Sequence, residues 1–218
     1  MLRGPLDTGL YRFLHLWLPT SFRILYRMKI TGLENIPREG GVLLACNHVS
    51  NTDPIFAALG APRQVHFMAK SELWKFAPLG WIMNGVGSFP VRRGQADRQA
   101  VTRALEVLKA GAALGVFPEG HRQPPGQLGE AQPGVSMFAT RSAVVTIPVA
   151  VVGTERVWKG WRPGFPQVSV HYGPPVDTTV QADTKVERHR IVADRLMAAI
   201  ARLLEQDRPQ SRPGRSRQ

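Results

Sequence analysis

The chemistry-bearing residues of this chain gather in four short clusters. The first is Asn47-His48-Val49-Ser50-Asn51-Thr52-Asp53. His48 and Asp53 stand five positions apart. On a continuous helix that is about 500° of rotation, which leaves them roughly 140° apart on different faces. They meet only if His48 precedes a helix and Asp53 stands at its entrance. Pro54 supplies that break, with Asp53 as the expected N-cap. A carboxylate there accepts a hydrogen bond from one ring nitrogen, fixes the tautomer and leaves the other nitrogen as a base. By itself the spacing equally suits a buried histidine beside a helix N-cap.

A base needs a proton to take. The chain has no G-x-S-x-G nucleophile elbow. Its single cysteine, Cys46, lies in the apolar run Gly41–Cys46, where a thiolate is disfavoured. The simplest chemistry is direct: His48 deprotonates a substrate hydroxyl, which attacks an activated acyl group. The second cluster, Gly87-Ser88-Phe89-Pro90-Val91-Arg92-Arg93-Gly94, sets two arginines after a short extended stretch, as a phosphate fork or a solvated turn. The third, Phe117-Pro118-Glu119-Gly120-His121-Arg122, offers Glu119 for hydroxyls and Arg122 for a phosphate. It also reads as a proline-glycine turn with two exposed charges. The fourth, Thr146-Ile147-Pro148-Val149-Ala150, is a buried strand with a proline, expected at an edge or bulge.

In this order the clusters N-H-x4-D, G-x-F-P-V-x-R, F-P-E-G-x-R and V/I-P-V resemble the four-motif signature of the glycerolipid acyltransferases. The resemblance is greatest to the bacterial 1-acyl-sn-glycerol-3-phosphate acyltransferases and spans about residues 30–155. It implies that His48 and Asp53 form the catalytic dyad. It implies that Arg92, Arg93 and Arg122 surround the acceptor's phosphate, that Glu119 and Gly120 help bind the acceptor, and that Ile147-Pro148-Val149 line the acyl-donor side. The implied reaction moves a fatty acyl group from acyl-CoA or acyl-carrier protein to the free hydroxyl of a lysophospholipid, with no cofactor besides the donor and no metal. His121 and Gln123 stand where the family usually has threonine and serine, and Gln132 where a lysine is common. These departures bear on the acceptor's headgroup. They leave open a different lysolipid, a non-phosphate acceptor, or a membrane-binding scaffold of the same fold without turnover.

The elements that must position these clusters follow from patterning. Short apolar runs at 41–46, 64–69, 88–91, 114–117, 144–152 and 168–172 alternate with amphipathic stretches at 95–110, 134–142 and 185–204. That alternation predicts an α/β fold, a sheet covered on both faces, with sites beyond the carboxyl ends of strands. The resemblance makes the sheet mostly parallel and the fold glycerol-3-phosphate acyltransferase-like, with an N-terminal amphipathic helical segment. The expected organisation is residues 1–30 as membrane-interface helices divided at Pro19, residues 31–206 as the acyltransferase domain, and residues 207–218 as a disordered basic tail.

Charge points to the partner. Of 218 residues, 28 are Lys or Arg and 16 Asp or Glu, a net +12. That balance favours an anionic surface. One cysteine excludes an internal disulfide framework. No apolar run reaches the about 20 residues a spanning helix needs. The N-terminal segment instead mixes Phe13, Trp17, Phe22 and Tyr26 with Arg12, Arg23 and Arg27, and residues 71–86 add Trp74, Phe76 and Trp81. Such a mixture suits the headgroup boundary, and equally core packing. The arginines are scattered and no nucleic-acid-binding motif is present, so no nucleic acid is expected. The expected location is peripheral or monotopic, on the cytoplasmic face of the cell membrane.

Overall fold

The computed structural model of the chain describes residues 9–92, 97–142 and 144–207, with side chains from residue 17 onward except at 133–135, 141–142 and 159. Strand β2 (Val42–Cys46) is buried at every position, because both faces of the sheet are covered there. It lies between β5 (Ala113–Val116) and β6 (Val145–Val152), parallel to both. Beyond β5 follow β3 (Val65–Lys70) and β4 (Phe89–Val91), also parallel. Beyond β6 the direction reverses. β9 (Ser169–Tyr172) runs antiparallel to β6, and β1 (Lys29–Thr31) lies parallel to β9 at the edge. The seven-stranded order is β1-β9-β6-β2-β5-β3-β4. The sheet is therefore mostly parallel, as expected.

Period-2 alternation divides the core. Val42, Leu44 and Cys46 face one layer with Phe56 and Ala57 of α2 (Asp53–Gly60). Leu43 and Ala45 face the other, under α4 (Arg98–Lys109), α5 (Pro133–Ser142) and α6 (Lys185–Gln206). In α6 the buried positions Val192, Leu196, Ala199, Ile200 and Leu203 form one helical stripe. The hydroxyl of Thr184 caps this helix by accepting the Glu187 amide N–H at 3.1 Å. Asp97 likewise caps α4 through the Ala100 amide at 3.0 Å.

Two expectations change. Pro148 was expected at an edge or bulge, yet it sits within β6, paired with Ala45 of the central strand. The reason is directional. The Val149 carbonyl faces β2, accepting from Asn47, so Pro148 presents its own backbone towards β9. There β9 has ended at Tyr172, opposite Val149, and only the Gly173 amide meets the Pro148 carbonyl, at 2.8 Å. The missing proline donor faces a place where the ladder asks for none. Secondly, Pro19 does not divide the N-terminal segment: α1 (Gly9–Leu25) is one helix with Pro19 inside it. Its last turns are held from outside, because Phe22 and the following Tyr26 pack on Phe56 of α2 with ring centroids 5.5 and 5.0 Å apart. Residues 208–218, expected as a basic tail, lie outside the described residues.

A short 3₁₀ helix, Ser71–Lys75, leads from β3 into α3 (Ala77–Gly85), while the hairpin β7 (Trp158–Lys159) and β8 (Arg162–Pro163) lies between β6 and β9 in the chain. No helix among the described residues is long and apolar enough to cross a membrane.

Gly115 in β5 allows the Phe67 ring to cross the strand; a Cβ there would lie 2.2 Å from that ring. Gly115→Ala is expected to destabilise the fold by about 1–3 kcal/mol through overpacking. Urea unfolding measures this, and an unchanged midpoint would mean that the ring moves aside freely.

Candidate active site

The polar clusters stand beyond the carboxyl ends of three adjacent strands, where open α/β sheets place their sites. After β2, Asn47 extends the ladder with its side chain: its amide donates to the Val151 carbonyl at 3.1 Å and accepts the Val151 N–H at 2.7 Å. This fixes where the chain turns, and His48 follows. The His48 ring is almost wholly buried, and Nδ1 lies 2.8 Å from Asp53 Oδ2. A carboxylate only accepts, so Nδ1 carries the hydrogen, and in the neutral ring Nε2 keeps the lone pair. The dyad that the spacing suggested is therefore assembled.

Asp53 is fully buried. It was expected as the N-cap of α2; it is instead the first helical residue, after Thr52. Its carboxylate turns back rather than along the helix. Oδ2 also accepts the amide N–H groups of Val49 and Ser50, each at 2.7 Å, and Oδ1 accepts the hydroxyl of Thr154. Thr154 lies just past β6, in the turn that follows Gly153. Sequence reasoning gave it no role. Its signal was a hydroxyl directly after a strand's carboxyl end, the same rule that singled out His48 and Glu119.

The third cluster holds His48 from the other side. Phe117 stacks on the imidazole, with centroids 4.0 Å apart and planes 18° from parallel. The His48 amide N–H donates to Glu119 Oε1 at 3.0 Å, and the His48 carbonyl accepts the Gln123 N–H at 2.8 Å. Glu119 Oε2 accepts the Gly129 N–H at 3.2 Å. Glu119 was expected to take acceptor hydroxyls. Its carboxylate is instead fully buried and engaged by two backbone donors, so it positions the histidine and the 120–129 loop. Burial pushes its carboxyl above the ordinary value, and the His48 and Gly129 amides pull it back.

Gly120 is exposed at φ +69°, a conformation that suits glycine, and a Cβ there would lie 2.9 Å from Gln132 Cγ. Arg122 is exposed on the same loop, and Arg92 is exposed just past β4, its amide held by Asp97 at 2.9 Å. Both leave the sheet at the rim that carries His48. Arg93 lies outside the described residues. His121 Nε2 and Gln123 Nε2 are 3.1 Å apart, so the two departures from the family pattern pair with each other. Ile147 and Val149 are buried in the core. Burial, reinforced by the charge of Asp53, pushes the Cys46 thiol far above its ordinary value, which removes it as a nucleophile. A cleft of about 660 Å³ is lined by Asn47, Val49, Leu128, Val152, Ser169 and Leu204; neither His48 nor Asp53 is among its lining residues. Among the described residues no group of three His, Cys, Asp or Glu could hold a metal ion.

A family model described as Acyltransferase matches residues 27–152. The chain belongs to the acyltransferase family. Its similarity to curated members of this acyltransferase family is moderate. It is 31% identical over 145 residues to the chloroplastic 1-acyl-sn-glycerol-3-phosphate acyltransferase LPAT1 of Arabidopsis thaliana, covering 65% of this chain and 40% of that one. It is 31% identical over 114 residues to the 1-acyl-sn-glycerol-3-phosphate acyltransferase of Bacillus subtilis, covering 52% and 57%. The Pseudomonas aeruginosa enzyme of the same name is 31% identical over 151 residues, covering 66% and 58%. The chain thus spans about half the length of these relatives. The crystal structure of the 1-acyl-sn-glycerophosphate acyltransferase PlsC from Thermotoga maritima shares the fold, with a TM-score of 0.70 at 22% identity over 95% of this chain and 87% of that one.

Thr154→Val removes a donor from a buried carboxylate and is expected to cost about 1–3 kcal/mol, with Thr154→Ser close to wild type. Chemical denaturation measures both. Equal stability of the valine variant would mean that Asp53 does not need the hydroxyl.

Proposed function

We propose that this protein transfers a fatty acyl group from a thioester donor, acyl-CoA or acyl-carrier protein, to the free hydroxyl of a lysophospholipid. The acceptor we favour is lysophosphatidic acid and the product phosphatidic acid, a step of phospholipid biosynthesis. The single observation that carries this reading is the His48–Asp53 pair, buried and oriented so that Nε2 keeps its lone pair. The names of the curated relatives support the choice of acceptor.

In the proposed mechanism Arg92, Arg93 and Arg122 hold the acceptor's phosphate, with Gly120 leaving room at the loop. His48 Nε2 takes the proton from the glycerol hydroxyl as its oxygen attacks the thioester carbon. Asp53 stabilises the imidazolium that forms. The tetrahedral intermediate, its oxyanion met by a backbone N–H, collapses and breaks the carbon–sulfur bond. The thiolate leaves with the proton from His48. No acyl-enzyme intermediate is required.

The acceptor is a lipid, so the protein works at an anionic membrane surface, as a peripheral or monotopic protein of the cytoplasmic face. Support comes from exposed Trp17, Ile24 and Leu25 on α1, and from exposed Phe76, Trp81 and Ile82 in the segment after β3. Arg23 lies exposed among the first group. The pairing of His121 with Gln123 favours, as a second reading, a lysolipid with a different headgroup.

An acceptor panel with both thioester donors, read by mass spectrometry, tests the substrate. Acylation of lysophosphatidic acid is expected; transfer to no lysolipid would overturn the reading. His48→Ala is expected to lower kcat about 10²–10⁴-fold without loss of folding. Wild-type kcat in that variant would remove the dyad from the mechanism. Glu119→Gln is expected to lower kcat while the acceptor KM holds, because Glu119 positions the base. A rise in KM alone would return Glu119 to the acceptor.

A further inference from the structure

We propose that the loop between β6 and β9, with the β7–β8 hairpin at its tip, inserts Trp158 and Trp161 among the headgroups of an anionic bilayer beside α1. The proposal rests on the membrane reading above and adds to it a contact that lies outside α1 and residues 71–86. Trp161 is 81% exposed and Trp158 56% on one short hairpin of two paired positions, and Phe165, just past it, is 51% exposed. An indole carries 150–250 Å² of largely apolar surface and a polar N–H, a combination that favours the membrane–water interface. The Arg162 guanidinium lies over the Trp161 ring, 4.9 Å from its centroid. Arg156, Lys159 and Arg162 outnumber Glu155 in this stretch. The tip is thus aromatic and cationic together, complementary to anionic headgroups and repelled by another copy of a chain with net charge +12.

The loop is anchored, so it can set a height. The Gly164 N–H donates to the Val157 carbonyl at 2.7 Å. The Arg27 guanidinium donates to the Phe165 carbonyl at 3.0 Å, and the Tyr26 and Phe165 rings lie 5.8 Å apart, which fastens the loop to the end of α1. The register places both on one rim: Val152 at the end of β6 pairs with Ser169, and Ser169 with Lys29 at the start of β1. That rim carries the dyad. Thr154, whose hydroxyl meets Asp53, begins the same loop. A bilayer contact at Trp158 and Trp161 therefore fixes how far His48 stands from lipid hydroxyls.

The test is vesicle sedimentation of the full chain, with phosphatidylcholine alone and with a quarter phosphatidylglycerol. The variants are Trp158→Ala with Trp161→Ala, Arg162→Glu and, for comparison, Trp17→Ala, each checked by thermal melting. The double tryptophan variant is expected to partition about tenfold or more weakly at unchanged melting temperature. Arg162→Glu is expected to lose binding to the anionic vesicles and not to the neutral ones. If hairpin variants partition like the wild type while Trp17→Ala loses binding, this proposal fails and the membrane reading survives. If the wild type binds neither vesicle, both fail. A dimer that the hairpin substitutions dissolve, with partitioning unchanged, would assign the loop to a second copy and overturn the proposal.

Discussion

A carboxylate with no exposed surface holds the candidate site in place. Removing a charge from water costs several kcal/mol unless donors replace the solvent. Asp53 gathers four of them: the His48 ring, the amides of Val49 and Ser50, and the Thr154 hydroxyl. Three come from the turn that precedes it, and the fourth comes from beyond the neighbouring strand. The site therefore exists only when β2 and β6 pair in this register. Asn47 enforces the same register by continuing the ladder with its side chain. Strand alignment and the orientation of the histidine are one constraint.

A second buried carboxylate does the corresponding work from β5. Glu119 ties the His48 backbone to the loop that ends near Gly129, and Phe117 covers one face of the ring. Strands β6, β2 and β5 thus deliver Thr154, His48 and Glu119 to one rim. The aromatic column Phe67–Phe117–His48, with neighbouring centroids 5.6 and 4.0 Å apart, links the core directly to the imidazole.

Much of this was legible in the residues. The apolar run of β2 announced a buried strand, the stripe of α6 a surface helix, and Pro54 the break that lets His48 and Asp53 meet. What stayed hidden depends on partners distant in the chain. The role of Thr154 appears only once β6 lies beside β2. Glu119 was read as taking acceptor hydroxyls from its place at a strand's end; that its buried carboxylate accepts the His48 and Gly129 amides shows only in the fold. Pro148 broke a local rule that holds strand by strand, and the early end of β9 lifts it. Pro19 broke another, overridden by the packing of Phe22 and Tyr26. The reversed pair β9 and β1 carried no signature that distinguishes it from a parallel pair.

The central claim is that Asp53 fixes the His48 tautomer so that Nε2 is the base. Nitrogen-15 NMR of the labelled protein, at a pH where the ring is neutral, reads this directly. The account predicts a proton on Nδ1 and a bare Nε2, with the pattern lost in Asp53→Ala. A proton resident on Nε2, or a wild-type spectrum that the Asp53 substitution leaves unchanged, would contradict it.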